Sequence, residues 1–237
     1  MATVILVRHG RSTANATGVL AGRLPGIKLD DAGAEQAAAT GARLAGVALA
    51  AAVSSPLERC KQTARSVLAQ QAQPVRLSTD RQLNECDYGD WQGRKLVELA
   101  KEPLWKTVQS QPSAATFPGG EGLRAMQDRS VEAIRRHDRR VESEHGNGAI
   151  WLAVSHGDVI KSIIADALGT HLDLFQRIHV DPASISIIRF TESRPYVLGV
   201  NTHAGDLAWL APPPKKRSTR KRSTDAPVGG GSGPGSA

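Results

Sequence analysis

Two apolar runs, Thr3-Val4-Ile5-Leu6-Val7 and Ala149-Ile150-Trp151-Leu152-Ala153-Val154, lead within two residues into a His-Gly pair, His9-Gly10 and His156-Gly157. Short runs without polar alternation suit strands buried on both faces, the environment of a parallel sheet. Strand-like and helix-like segments alternate around them. Asp31–Ala45 is Ala-rich, with Asp30 placed to cap its start. Leu49–Val53 is a second short strand, closed by Ser54-Ser55-Pro56, and Pro56 fits the first turn of a helix from Leu57 to about Gln71. Val75–Leu77 reads as a short strand, Gln127–Ser143 as a charged helix, and Val159–Leu168 as a helix behind the second His-Gly. Ser184–Phe190 and Tyr196–Asn201 read as a late strand pair. The alternation predicts an α/β fold, a three-layer α/β/α sandwich with a mostly parallel central sheet.

Charge narrows the function classes only after it is divided along the chain. The 237 residues carry a net charge of +7. Six of the cations (Lys215, Lys216, Arg217, Arg220, Lys221, Arg222) and one acid, Asp225, fall after residue 211, leaving 24 basic and 22 acidic residues in 1–211. The body is nearly neutral, so specific nucleic-acid binding is not expected. Residues 212–237 are Pro-rich, then basic, then Gly/Ser-rich, which predicts a disordered tail capable of weak, salt-sensitive contact with polyanions. Residues 1–211 form the expected domain.

No run reaches the roughly 18 apolar residues of a membrane span, and the first residues lack the basic leader and cleavage site of a signal peptide. Two cysteines, Cys60 and Cys86, cannot build a disulfide framework or a four-ligand zinc site. A soluble, cytoplasmic, reduced protein is expected.

In an open α/β sheet, ligands collect beyond the carboxyl ends of the strands. Both histidines belong to that edge, with Arg8 beside His9 and Arg59 at the start of the helix after Leu49–Val53. Two guanidinium groups and two imidazoles converging there make a site for a dianion, and the fork of arginine matches phosphate oxygens. A neutral imidazole is a competent nucleophile, which suggests phosphoryl transfer through a phosphohistidine. The leaving alkoxide then needs a proton from a nearby acid. On position alone Glu85, Asp87 and Asp90 serve almost equally well.

These segments carry a family resemblance. Leu6-Val7-Arg8-His9-Gly10-Arg11-Ser12-Thr13-Ala14-Asn15 closely resembles the opening motif of the histidine phosphatase superfamily, which includes the phosphoglycerate mutases. Ser54-Ser55-Pro56-Leu57-Glu58-Arg59-Cys60-Lys61-Gln62-Thr63-Ala64 is similar to its second motif. Leu83-Asn84-Glu85 with Gly89-Asp90-Trp91-Gln92-Gly93 resembles the third, and Val154-Ser155-His156-Gly157 the fourth. The resemblance implies His9 as the nucleophile, and Arg8, Arg59 and His156 as the phosphate pocket. It implies Asn15, Gly22, Tyr88 and Gly157 as lesser substrate contacts, and selects Glu85 as general acid and base. It implies no metal and no organic cofactor. Arg11 departs from the usual Gln or Glu and adds positive charge near the pocket mouth.

Within the superfamily the residues favour a phosphatase of small phosphorylated metabolites. The mutases carry Glu-Arg-His-Tyr-Gly where this chain has Glu85-Cys86-Asp87-Tyr88-Gly89. They also hold the substrate carboxylate with an arginine pair in the insertion, and residues 95–122 contain no arginine. A phosphoglycerate mutase-type activity is the alternative, and a phosphate-binding or scaffold module the non-enzyme one. The small insertion 95–125, with Trp105, Phe117 and Pro118, is expected to roof the pocket as a lid. A homodimer is only the base-rate expectation for soluble enzymes. A cysteine phosphatase fails on spacing, because Cys60 and Arg65 are separated by four residues rather than five. His137, His145, His171, His179 and His203 lack motif context and read as ordinary surface or core histidines.

Overall fold

The computed structural model describes residues 2–203 together with Val228 and Gly229. Along the chain run β1 (Thr3–Arg8), α1 (Thr13–Thr17), α2 (Asp31–Leu44), β2 (Ala51–Ser54), α3 (Glu58–Leu68) and β3 (Leu77–Thr79). Then come α4 (Leu96–Leu99), α5 (Pro103–Ser110), α6 (Leu123–His145), β4 (Ile150–Ser155), α7 (Gly157–Ala167), β5 (Ile185–Phe190) and β6 (Pro195–Thr202). The strands form one six-stranded sheet in the order β3-β2-β4-β1-β5-β6. β3, β2, β4 and β1 are parallel, and β5 and β6 are added antiparallel.

The two-sided burial of the apolar runs follows from where the helices sit. Val4, Leu6, Val53 and Ala153 pack in one core with Met126 and Ile134 of α6 and Ile160 and Ile164 of α7. Ile5, Val7, Ala52, Leu152 and Val154 pack in the other with Leu44 of α2 and Cys60, Ala64 and Val67 of α3. Alternate residues of one strand therefore enter opposite cores, giving the α/β/α layering expected of an unalternated apolar pattern. Asp30 caps α2 as predicted, its carboxylate accepting from Gly33 N at 2.8 Å.

Three local expectations shift. Pro56 lies outside α3, which starts at Glu58 with Leu57 at its N-cap. The edge strand β3 runs over Leu77–Thr79 rather than Val75–Leu77, because its pairing starts where Leu77 meets Ala52. Helix α6 begins at Leu123, four residues before Gln127, and Leu123 and Met126 are buried in its first turn. The segment 95–125 contains α4, α5 and a 3-10 turn, Pro112–Ala114. Of the tail expected to be disordered over 212–237, all but Val228 and Gly229 lies outside the described residues. Those two form a turn, and Val228 is buried. No helix among the described residues is long and apolar enough to cross a membrane.

Candidate active site

The parallel register places the two His-Gly turns side by side. Arg8 pairs with Ser155 at the ends of β1 and β4, so His9 and His156 leave neighbouring strands together. Their ring centroids are 5.2 Å apart, edge to face. Both rings are buried, as are Arg8, Arg59 and Glu85. His9, Arg59 and Glu85 line one small cavity with Ser12, Asn15, Gly22 and Tyr88.

Hydrogen bonds fix the tautomer of His9. Its Nδ1 faces the carbonyl of Gly10 at 2.7 Å, so that nitrogen carries the proton. Its Nε2 accepts from Arg59 Nε at 3.2 Å, so the lone pair points into the cationic side of the cavity. Burial, followed by Arg59 and Arg8, holds the His9 pKa well below its ordinary value. The imidazole is thus neutral and nucleophilic at neutral pH.

Arg59 ties the remaining groups together. Its Nη2 donates to Gly22 O at 2.8 Å and meets His156 Nδ1 at 3.2 Å. His156 Nε2 then faces Ser55 Oγ at 2.9 Å, and Ser55 Oγ donates to Asn84 Oδ1 at 3.0 Å. Burial, then Arg59 and His9, pushes the His156 pKa well down. Arg8 Nη1 donates to Val180 O at 2.8 Å. Two buried guanidinium nitrogens, Arg8 Nε and Arg59 Nη1, have no hydrogen-bond partner among the described residues. Buried charged donors left open are costly unless a ligand satisfies them, and an oxyanion is the matching ligand.

Glu85 brings a carboxyl group to the lining of this cavity. Burial, followed by the charge of Asp158, raises its pKa to about 7, against the opposing pull of Cys86 N, Arg59 and Arg8. Its Oε1 accepts from Cys86 N at 3.0 Å. Asp87, equally eligible by position, is engaged elsewhere. It pairs with Arg23 at 3.3 Å and accepts from Gly89 N. The Glu85 backbone is held from outside, its carbonyl accepting from Arg23 Nε at 2.9 Å and Arg129 Nη2 at 3.2 Å. Both arginines also grip Glu121, at 2.8 and 2.6 Å.

The sequence missed several of these groups. Asp158, directly after His156-Gly157, is buried, accepts from Tyr88 OH at 2.8 Å and lies 3.6 Å from the buried Lys161 Nζ. Its place beside a motif was the available signal. Thr63 Oγ1 accepts from Gly10 N at 3.0 Å, so that N–H serves the scaffold rather than a ligand. Arg11 is paired with Asp30 at 2.7 Å, which offsets the charge expected at the pocket mouth. Asn15 uses its Oδ1 to accept from Ser12 N and Oγ, closing the capping box of α1. Gly157 opens α7 behind His156. The insertion 95–125 approaches the cavity through Phe117, whose ring packs against Tyr88 with centroids 4.9 Å apart. Of the other histidines, His137 pairs with Asp80, and His179 and His203 with Asp181.

Gly10 and Gly33 explain how the His9 turn is held. A Cβ on Gly33 would overlap the Arg11 carbonyl, and one on Gly10 would overlap the Gly33 carbonyl. Gly33→Ala is therefore expected to destabilise by about 1–3 kcal/mol through backbone overpacking. It should also shift the turn that holds His9. Denaturant unfolding checks the stability, and the histidine ring resonances in NMR spectra check the shift.

Neither cysteine has the environment of a nucleophile. Burial pushes the Cys60 thiol up to about 12 and the Cys86 thiol well above its ordinary value. Among the described residues there is no group of three or more His, Cys, Asp or Glu arranged to hold a metal ion.

Comparison with known proteins agrees with this geometry. The sequence profile of the Histidine phosphatase superfamily (branch 1) matches residues 4–203. A bifunctional protein of Mycobacterium tuberculosis is 34% identical over 190 residues, 79% of this chain and 50% of that one. The chain thus spans about half the length of that relative. The adenosylcobalamin/alpha-ribazole phosphatase of Escherichia coli is 30% identical over 84% of this chain and 95% of its own. The crystal structure of the alpha-ribazole phosphatase from Shigella flexneri superposes with a TM-score of 0.73 at 28% identity, covering 84% of this chain and 96% of that one. With paired imidazoles between buried arginines at the carboxyl edge of the sheet, and a profile match across nearly all of the described domain, this chain belongs to the histidine phosphatase superfamily.

Proposed function

We propose that this protein is a phosphatase that hydrolyses small-molecule phosphomonoesters through a covalent phosphohistidine on His9. The observation that carries the reading is the His9 tautomer, with Nδ1 bound to Gly10 O and the Nε2 lone pair turned toward Arg59. In the first step Nε2 attacks phosphorus, the N–P bond forms, and the bond to the leaving oxygen breaks. Glu85, whose pKa burial raises to about 7 so that its protonated form is accessible near neutral pH, gives its proton to that oxygen. In the second step the Glu85 carboxylate takes a proton from water, whose oxygen attacks phosphorus. The N–P bond then breaks and His9 regains its lone pair. Arg59 Nη1, on a residue that lines the cavity, and the buried Arg8 Nε, unpartnered among the described residues, are the donors this reading assigns to the phosphoryl oxygens, where negative charge is held through both transfers.

Hydrolysis is favoured over mutase-type transfer by the lack of arginine in 95–122 and by the engagement of Asp87 with Arg23. The guanidinium groups that would hold a substrate carboxylate bidentately, and keep a phosphorylated product in place, are missing from those positions, whose only cations are Lys95, Lys101 and Lys106. Cytoplasmic residence is the matching proposal for a domain whose two cysteines are buried and unpaired.

Rapid quenching tests the covalent step. During turnover of a 32P-labelled phosphomonoester, wild type is expected to carry label that is stable to alkali, labile to acid and mapped to His9. Turnover without label at His9 would overturn the mechanism.

A further inference from the structure

The cavity that holds His9 and Glu85 also contains a piece of the chain itself. Val228 and Gly229 line it, 1% of the Val228 surface is exposed, and the valine joins the core cluster that includes Leu20 and Tyr88. Gly229 N donates to Asp158 Oδ2 at 2.9 Å, and Gly229 O accepts from Arg8 Nη2 at 3.4 Å. The room left for a water-sized sphere is about 20 Å³, enough for about one water and far below a phosphomonoester.

From these contacts we infer that the pocket has a second subsite, beside the phosphate cradle, which binds peptide backbone and is occupied in cis by Val228-Gly229. The chemistry suits an amide. The buried Asp158 carboxylate, already receiving Tyr88 OH, accepts the peptide N–H. Arg8 donates to the peptide oxygen, and the apolar wall of Leu20 and Tyr88 takes the valine. Glycine is required at the contact, because Gly229 has φ +75 and a Cβ there would lie 3.1 Å from Leu20 Cδ1. The subsite shares Arg8 with the phosphate cradle, so the peptide and a phosphomonoester compete. A segment of the same chain then acts as a reversible plug, and apparent ligand affinity falls by the fraction of molecules left open.

The inference rests on the cavity assigned above to phosphate, and its test reads binding and exchange rather than turnover. Gly229→Pro removes the N–H and cannot adopt φ +75, while Val228→Lys puts a charge where the buried valine joins the apolar cluster of Leu20 and Tyr88. Both changes fall on the two residues that occupy the cavity, beyond the 4–203 span that the family profile matches. In the full-length protein, calorimetry with inorganic phosphate is expected to show affinity about fivefold or more tighter in both variants than in wild type. An acetylated peptide of residues 226–231 should weaken phosphate binding to Gly229→Pro and affect wild type less. The Gly229 amide in wild type should exchange about tenfold or more slowly than in the free peptide. Equal phosphate affinities in all three proteins would overturn the competition. A Gly229 amide exchanging at the free-peptide rate would overturn the contact. The exchange measurement needs no phosphate, so loss of the subsite and loss of the phosphatase reading are separable.

Discussion

His9→Ala is expected to lower kcat/KM for p-nitrophenyl phosphate by about 10⁵-fold or more, the scale on which removal of a covalent nucleophile acts. Arg8, Arg59 and His156 remain in that variant, and the substitution removes the Arg59 Nε hydrogen bond and the ring contact with His156. The variant should therefore fold and bind inorganic phosphate while failing to turn over. This separation of binding from chemistry distinguishes a nucleophile from a structural histidine. Equal turnover by His9→Ala and wild type would remove the phosphatase assignment from this cavity. Orthovanadate, which takes the pentacoordinate geometry of the transferring phosphoryl group, should inhibit wild type competitively.

The placement of His9 was legible because it depends on short-range pattern and one topological rule. Two unalternated apolar runs had to be parallel strands, and parallel strands release their next residues at a common edge. Arg59 followed from its offset after β2, and Asp30 from the capping preference of its side chain. The choice of Glu85 over Asp87 was not of that kind. It came from the family resemblance, and what separates the two groups physically is Arg23, 64 residues away, pairing with Asp87, and the charge of Asp158 acting on the buried Glu85. Contacts at such separation leave no periodic trace in a single sequence.

Three other features escaped for the opposite reason, that local rules pointed elsewhere. Arg11 reads as a free cation until Asp30, already the α2 cap, also accepts its Nε. Val228-Gly229 sits in a stretch whose composition predicts disorder, and its burial depends on a complementary cavity rather than on its neighbours in sequence. Lys161 belongs here too. Its buried pairing with Asp158 breaks the apolar pattern of α7 and places charge beneath the pocket.

Glu85→Gln should divide the reaction by leaving group and stabilise the fold at the same time. Glutamine cannot protonate an alkoxide, so kcat/KM for alkyl phosphates is expected to fall about 10²–10⁴-fold. p-Nitrophenolate leaves without that proton, so phosphorylation of His9 by p-nitrophenyl phosphate should be slowed far less. Water attack still lacks its base, so stopped-flow records should show a burst of about one equivalent of p-nitrophenol, followed by a slow steady state. Absence of the burst, with both substrates slowed equally, would remove Glu85 from the acid–base role. The stability effect has a definite sign. The folded-state pKa is raised from 4.5 to about 7, so the native state binds the proton more tightly than the unfolded chain. Below pH 4.5 both states are protonated and the substitution gains nothing. As pH rises through that window the native state loses up to about 3 kcal/mol, a loss that the neutral glutamine avoids. Denaturant unfolding of Glu85→Gln and wild type should coincide near pH 4 and diverge by pH 8, with the variant the more stable. The fold thus tolerates a carboxyl group that weakens it because the same burial holds its pKa where one residue can serve as acid and then as base.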